Sequence, residues 1–590
     1  LKTLGKRLLD QPELELGQAS SMWRDLRQVW DSIDKGNKQF ELPAYNGGLF
    51  ASDPERHPEG AFIDQLIISD AVLGPALAAL LIDDTADGVK GLVDFRSLSV
   101  REFGTIYEGL LESSLSVADQ DLMLDSSGAF VPASDKDIAT VRAGEPFFHN
   151  SSGERKATGS YFTPSFIVDH LVERTIDPTL DKHLDRIRQL VEQGKTHEAA
   201  RDFFDYRVAD LAMGSGHFLV AAIDRIEAKM RDFLADPEVS IPGGTSELER
   251  LAQAAKNALG RDEATFDDIE QATLLRRQIA RRCVYGLDIN PLAVELSRLA
   301  LWIHTFVPGL PMSTLDHNLV CANSLTGIAG SDEALRVLDG STVEGAPRLF
   351  DSGLGDVFDR ASELLAEFAD ASEADKAEVL LNNERLQEVK AILAEPKALH
   401  DAAVAIRVRG SASGPTEQNA LQAWVEEPEV SDLIARLRPA HFSYLFPEVF
   451  TRGSPGFDAL IGNPPWEELT VEEHKFWRRK LQTGVRKLTK NDFIANRSEF
   501  PHLAHELDLL RETVAFARQS IASAGFPGFE VGDPDLYLPF AWRNWSLLRA
   551  GGRFGLVLPQ SVLSAKSSVA WRKAVFPRAS VEISLFRNSS

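Results

Sequence analysis

The chain contains the apolar run Phe457-Asp458-Ala459-Leu460-Ile461-Gly462, followed directly by the tetrapeptide Asn463-Pro464-Pro465-Trp466. The run predicts a buried strand. The prolines end this strand and stiffen the loop, because proline has no N–H to donate and a fixed φ. Such a loop lies at the carboxyl edge of a sheet, where α/β proteins bind their ligands. We therefore expect an α/β fold with a ligand site at this loop.

The loop presents two hydrogen-bond acceptors, the side-chain oxygen of Asn463 and the carbonyl of Pro464. Two fixed acceptors can bind both hydrogens of an exocyclic amino group, which pulls its nitrogen toward tetrahedral geometry and directs the lone pair outward. The face of Trp466 suits the planar ring that carries the amine. The tetrapeptide therefore predicts alkylation of a base-like amino group. The alternative is an edge strand that ends in a proline-rich loop.

A second strand pattern, at 207–211, leads through Ala212-Met213-Gly214-Ser215-Gly216 into a helical pattern at 217–231. Strand, glycine turn and helix in this order are typical of nucleotide binding, because glycine lets the backbone approach a ligand closely. No Gly-Lys-Ser/Thr follows, so a phosphate loop is not indicated. By itself the turn is weak evidence for a cofactor.

A third strand pattern, at 283–289, ends in Asp288, and Asn290 and Pro291 are typical of the start of a helix. An acid at this position can accept hydrogen bonds from both hydroxyls of a ribose. The usual spacing from the glycine turn is about twenty residues. The longer spacing here predicts an insertion at 232–280. Alternatively, Asp288 is a helix-capping or ion-paired acid.

Two further segments end in polar residues. Thr163 and Pro164 predict an N-cap and a first helical residue, whose free N–H groups suit a carboxylate. The strand pattern at 319–325 ends in Asn323-Ser324-Leu325, which suits the edge of a ring or is an ordinary turn.

Composition limits the class of protein. The 590 residues include two cysteines, Cys283 and Cys321, which give neither a disulfide framework nor a metal-binding spacing. No signal peptide or membrane-length apolar run is visible, so we expect a cytoplasmic protein without a metal. The net charge of −25 argues against a surface coated for nucleic-acid binding.

A local basic cluster follows the Asn-Pro-Pro-Trp loop, with aromatic residues between the cations. Cations for phosphates and rings for stacking are the components of a nucleic-acid surface. The alternative is a solvated helix face. We therefore expect contacts with nucleic-acid phosphates from Lys475, Arg478, Arg479, Lys480, Arg486 and Lys487.

In this order, the motifs resemble those of adenine-specific DNA methyltransferases, in particular the methyltransferase part of type IIG restriction–modification enzymes and related phage-defence methylases. Asp535-Leu536-Tyr537 is similar to a later family motif. Leu211 and Met213 stand where the family usually has Pro and Cys. The resemblance implies Asn463, Pro464, Pro465 and Trp466 as the catalytic loop. It implies S-adenosylmethionine as the cofactor, bound by Tyr161, Phe162, Thr163, Pro164, Asp210, Ala212, Gly214, Gly216, Asp288, Ile289, Asn323, Ser324 and Leu325.

The implied reaction is attack of the adenine N6 amine on the sulfonium methyl group. Because that nitrogen is inaccessible inside a duplex, the adenine of the DNA partner must be flipped out. No acid–acid–lysine constellation for magnesium stands out in residues 1–133, so nuclease and recognition subunits or domains are expected outside this chain. The alternatives are methylation of an RNA base or a protein glutamine, or a non-catalytic cofactor-binding subunit of a defence complex.

The expected fold is α/β, with a class I (Rossmann-like) S-adenosylmethionine-dependent methyltransferase sheet, a helical N-terminal domain and helical insertions. The expected domains are a helical domain at 1–133, a cofactor-binding half at 134–325, a helical insertion at 326–438 and a catalytic half at 439–590. The last residues, Val581–Phe586, have a strand pattern, and we expect the natural chain to continue beyond them.

Overall fold

A computed structural model provides the structure of the protein. It describes residues 2–10, 17–37, 50, 52, 58–84, 90–95, 113–118, 120–124, 130–133, 139–150, 163–237, 239, 241–259, 271–339, 354–371, 373–410, 414–415, 420–481, 490–529 and 535–586. No helix within these ranges is long and apolar enough to span a membrane.

The N-terminal part begins with helices and continues with short strands. The helices are α1 (Lys2–Asp10), α2 (Ser21–Lys35), α3 (Pro58–Gln65) and α4 (Asp70–Leu81). The strands form three antiparallel pairs: β1 (Ile82–Asp84) with β2 (Lys90–Leu92), β3 (Ser113–Val117) with β6 (Pro146–Asn150), and β4 (Leu122–Leu124) with β5 (Phe130–Pro132).

The prediction of a helical domain up to residue 133 is therefore wrong from Ile82 onward, where the described residues form short strands. Strands of three to five residues are too short to show a period in sequence, and their partners supply the hydrogen bonds that form them.

Five parallel strands form the main sheet: β7 (Val208–Asp210), β8 (Val284–Asp288), β9 (Leu319–Cys321), β10 (Phe457–Gly462) and β11 (Leu548–Leu556). Their spatial order is β11-β10-β7-β8-β9. The chain runs outward from β7 to β9 and then returns to place β10 on the other side of β7. Parallel α/β sheets form a ligand crevice at the carboxyl ends of the strands where the order reverses in this way. The α/β class is confirmed, and the sheet is compatible with a Rossmann-like methyltransferase.

Both faces of the sheet are covered. Alternate strand residues point to opposite faces, so Val208 and Ile461 pack on one side while Ala209 and Leu460 pack on the other. The first side is covered by α5 (Ser165–Glu192), α7 (His217–Leu234), α9 (Gln271–Arg282) and α10 (Pro291–His304). Near them lie α6 (Thr196–Asp202) and α8 (Pro242–Leu259).

A helical bundle follows β9 and has a core of its own, which includes Leu365, Phe368 and Leu433. A buried ion pair, Arg281 Nε to Glu373 at 3.1 Å, joins it to α9. The bundle consists of α11 (Ser331–Leu338), α12 (Leu354–Asp370), α13 (Lys376–Ile392), α14 (Ala394–Arg409), α15 (Leu421–Val425) and α16 (Pro428–Leu437).

The remaining helices lie in the chain before and after the strands β10 and β11. They are α17 (Phe442–Leu445), α18 (Pro447–Phe450), α19 (Glu473–Leu481), α20 (Lys490–Glu499), α21 (Pro501–Ser523), α22 (Tyr537–Leu547), α23 (Ser561–Ser564) and α24 (Val569–Val575), with a final 3₁₀ turn at Phe576–Arg578. The predicted strand at Val581–Phe586 is wrong, because this segment is irregular and contacts α5 through His170 and Ser584 instead of a strand.

Candidate functional site

The site lies at the carboxyl edge of the sheet, where the order of the strands reverses. Asp210 ends β7, Asp288 ends β8 and Asn463 follows β10. Because β7 is paired with both β8 and β10, three polar residues separated by long stretches of sequence meet at one edge. The structure thus brings the predicted cofactor segments and the predicted catalytic loop together.

The glycine turn is fixed by its neighbours. The N–H of Gly214 donates to Asp288 Oδ2 at 3.0 Å, and its carbonyl accepts from Ser297 Oγ at 2.7 Å. Gly214 has φ +53°, and apart from its chain neighbours no atom of the described residues lies within 4 Å of the position that a Cβ would take. A left-handed residue that faces open space lets the backbone itself form the wall of a binding site.

Asp288 contacts the backbone on two sides, at the glycine turn and just before the next helix. Its Oδ1 accepts from the N–H of Asn290 at 2.8 Å, while Asn290 caps α10 through the N–H of Leu292. Burial raises the pKa of Asp288, although the N–H groups of Asn290 and Gly214 oppose this effect. The adjacent Ile289 is 53% exposed and provides an apolar surface beside the acid. The cap of α10 is therefore Asn290 and not Asp288, which instead holds the backbone of Gly214 and Asn290. The position of Asp288 also suits a ligand.

Asp210 is buried between β7 and β10. A Cβ on Gly462, which has φ +150°, would lie 2.6 Å from Asp210 Oδ1, so only glycine fits beside this acid. Oδ1 accepts from the N–H of Ala212 at 3.0 Å, while Oδ2 has no hydrogen-bond partner among the described residues. Burial raises the pKa of Asp210 to about 7, and the negative charge of Asp288 adds to this shift.

We predict that Asp210→Asn changes the pH dependence of stability. The pKa of Asp210 is about 7 in the folded protein, against an ordinary value of 3.8. Between these values the folded state holds the proton and the unfolded chain does not, so stability falls as pH rises and is constant above about pH 7.

The asparagine variant lacks this ionisation. The stability of the variant relative to wild type, measured by thermal unfolding, should rise as pH increases from 3.8 to about 7 and then stay level. Within this window the slope should be about 1.4 kcal/mol for each pH unit. Asp232→Asn, at a side chain that is 80% exposed, is the control. A pH-independent difference for Asp210→Asn would contradict the prediction.

The Asn-Pro-Pro-Trp loop is held on both sides. Asn463 Nδ2 donates to Thr163 Oγ1 at 3.1 Å, and the indole N–H of Trp466 donates to the carbonyl of Val557 at 3.2 Å. Trp466 is half-buried and packs on a cluster that includes Tyr537 and Trp571. The loop is therefore anchored both to the segment before α5 and to the end of β11.

The motif Asp535-Leu536-Tyr537 lies against the same loop. The N–H of Leu536 donates to the carbonyl of Glu467 at 2.9 Å. The backbones of Asp535 and Glu468 pair in an isolated antiparallel β-bridge. Tyr537 is fully buried, with its hydroxyl 3.0 Å from Ser561 Oγ. Two motifs that are about 70 residues apart in sequence thus support each other.

The predicted helix start at Pro164 is wrong by one residue. Helix α5 begins at Ser165 with Pro164 in the N-cap position, and no side chain caps it. Thr163 is not the N-cap, and its hydroxyl is bonded to Asn463 of the Asn-Pro-Pro-Trp loop instead. Tyr161 and Phe162 lie outside the described residues.

The segment Asn323-Ser324-Leu325 forms a turn beside the glycine motif. Asn323 Oδ1 accepts from the N–H of Leu325 at 3.0 Å, and Ser324 Oγ donates to the carbonyl of Leu211 at 2.7 Å. Ser324 and Leu325 are buried, while Asn323 is half-buried. Through Ser324 the segment holds the backbone that follows β7, and Asn323 is its most exposed residue.

The described lysines of the basic cluster take part in ion pairs. Lys475 contacts Glu472 at 2.7 Å, and Lys480 contacts Glu506 at 2.6 Å. The side chains of Arg478 and Arg479, and all of Arg486 and Lys487, lie outside the described part of the structure. Among the residues that can be assessed, no group of three or more His, Cys, Asp or Glu side chains is placed to hold a metal ion.

A parallel sheet with a glycine turn, an acid at the next strand end and an Asn-Pro-Pro loop is compatible with a Rossmann-like methyltransferase. The sequence model of the family described as "Eco57I restriction-modification methylase" matches residues 282–495. A protein of Methanocaldococcus jannaschii named "Putative type II restriction enzyme and methyltransferase" is 24% identical over 392 residues, which are 56% of this chain and 30% of that protein. The chain thus matches less than a third of that relative. Together the two matches confirm the resemblance to restriction–modification methyltransferases.

Proposed function

We propose that this chain is the methyltransferase part of a restriction–modification protein and methylates the N6 amine of a flipped adenine in DNA. The observation that carries the proposal is the position of the Asn-Pro-Pro-Trp loop. It lies at the reversal of the sheet, next to the strand ends that bear Asp210 and Asp288.

The residues at this edge fit S-adenosylmethionine, which would supply an electrophilic methyl group when bound. Asp288 would accept hydrogen bonds from ribose hydroxyls, and the open backbone at Gly214 would allow close approach. Ala212 and Gly216 belong to the same turn, and Ile289 offers an apolar surface. Asn323 would face the adenine edge, and the buried Ser324 and Leu325 would support it. The N-terminus of α5, after Thr163 and Pro164, would attract the methionine carboxylate.

The catalytic loop would act on the acceptor base. Asn463 Oδ1 and the carbonyl of Pro464 would each accept a hydrogen from the exocyclic amine, so that its lone pair points toward the methyl group. Pro465 keeps the loop stiff. Trp466 is half-buried, so part of its ring is accessible for stacking on a flipped base. Positioning of this kind supplies much of the rate in group transfer.

The test is incubation of the chain with labelled S-adenosylmethionine and a pool of duplex DNA, followed by digestion and identification of the labelled nucleoside. We expect label in N6-methyladenine. Parallel reactions contain RNA or a protein extract. Label confined to an RNA base, to protein glutamine or to cytosine would contradict the proposed substrate, and no label with any acceptor would favour a non-catalytic subunit.

We also predict that the arginines of the basic cluster contribute more to DNA binding than its lysines. Neutralising Arg478 and Arg479 should flatten the salt dependence of DNA binding by about one unit of log–log slope per lost phosphate contact. Neutralising Lys475 and Lys480 is the control and should change the slope less, because both lysines already pair with acids. The measurement is a salt titration of binding to nonspecific DNA. An unchanged slope in the arginine variant would show that the cluster is a solvated helix face.

A further inference from the structure

The hydrogen bond between Asn463 and Thr163 joins residues that are 300 positions apart in the chain. Thr163 is 6% exposed, so water competes little for its hydroxyl. The bond runs from Asn463 Nδ2 to Thr163 Oγ1 at 3.1 Å. It therefore uses the donor end of the amide and directs the acceptor end, Oδ1, elsewhere.

We propose that Thr163 is a positioning residue for methyl transfer, which selects the orientation of the Asn463 amide. This inference rests on the proposed function. An amide carries one acceptor and one donor atom, and only the oxygen can bind the hydrogens of an amine. If the amide turned over, its NH2 group would face the hydrogens of the amine and oppose binding. Thr163 stabilises the productive orientation.

A hydroxyl can donate as well as accept. A test must therefore separate control of the orientation from a general role in holding the loop. The chain allows this separation through Asn463→Asp, because the two oxygens of a carboxylate are equivalent. A carboxylate that turns over still presents an acceptor, so a residue that selects the orientation loses its importance in the Asn463→Asp background.

The first experiment measures single-turnover methylation. With saturating cofactor, Thr163→Val should lower the rate about tenfold, as expected for loss of one hydrogen bond, and Thr163→Ser should restore most of the rate. In the Asn463→Asp background, Thr163→Val should lower the methylation rate by less than about threefold. Thr513→Val, at a hydroxyl that bonds the carbonyl of Leu509 on α21, is the matched control. An equal cost in both backgrounds would overturn the proposal in favour of a structural role.

The second experiment needs no methyl transfer. The side-chain amide of Asn463 is observed by NMR with isotope-labelled asparagine and assigned by its loss in Asn463→Asp. Its hydrogens should exchange with water faster in Thr163→Val than in wild type or Thr163→Ser. Unchanged exchange would overturn the proposal even if wild type methylates adenine. If the exchange changes as expected but wild type methylates nothing, the bond to Thr163 is supported and the proposed function fails.

Discussion

Asn463→Ala should abolish methyl transfer and leave cofactor binding almost unchanged. Under the proposed function the amide acts on the acceptor amine, and most of the cofactor segments lie elsewhere, on β7, β8 and the turn after β9. Asn463 contacts the segment before α5 through the hydroxyl of Thr163 and not through the N–H groups of α5. Removing one preorganised hydrogen-bonding group from an active site typically lowers kcat by about 100- to 1,000-fold. We expect a loss of that size, because alanine leaves only the Pro464 carbonyl to bind the amine.

The measurement pairs a single-turnover rate with calorimetric binding of S-adenosylmethionine. Asn257→Ala is the matched control, since Asn257 is exposed on α8 and its side chain accepts from Gln253. A methylation rate near that of wild type in Asn463→Ala would show that the catalytic loop has been assigned wrongly. A large loss of cofactor affinity would show that the loop supports the cofactor site instead.

Features with a local cause could be predicted from the sequence. The start of α10 is an example, because Asn290 caps the helix through the N–H of Leu292 and Pro291 is its first residue. The strand ends at Asp210, Asp288 and Asn463 could also be placed, since each follows an apolar run and precedes a turn signal. These signals depend only on neighbours in the chain, and their order along the chain indicated the family.

Contacts between distant segments could not be predicted in this way. Thr163 has a strong local preference for the N-cap position, but in the structure its hydroxyl is bonded to a loop 300 residues later. The approach of Asp210 to Gly462 was also missed, although a glycine between an apolar strand and Asn-Pro-Pro is a signal of close packing at that position. Only the order of the strands brings these pairs together.

The second large effect is expected for Asp288→Ala, which should weaken S-adenosylmethionine binding by 100-fold or more. Two ribose hydroxyls would lose a charged acceptor, and charge-assisted hydrogen bonds contribute about 1.5–3 kcal/mol each. The variant also loses the acceptors for Gly214 and Asn290, so the glycine turn is less well held. Asp288→Asn, which keeps an acceptor of similar shape without the charge, should show an intermediate affinity.

Separating the ligand role of Asp288 from its role in the turn requires a change nearby that spares the acid. Asn290→Ala removes the cap of α10 and should lower stability by about 1 kcal/mol, but it leaves both oxygens of Asp288 in place. We expect calorimetry to show an affinity close to wild type in Asn290→Ala and a large loss in Asp288→Ala, with near-ultraviolet circular dichroism confirming that both variants are folded. An equal loss in the two variants would assign the effect to the start of α10 and not to contacts of the acid with the ribose. Wild-type affinity in folded Asp288→Ala would show that the acid does not contact the ribose, and it would remove the main support for a nucleoside at the end of β8.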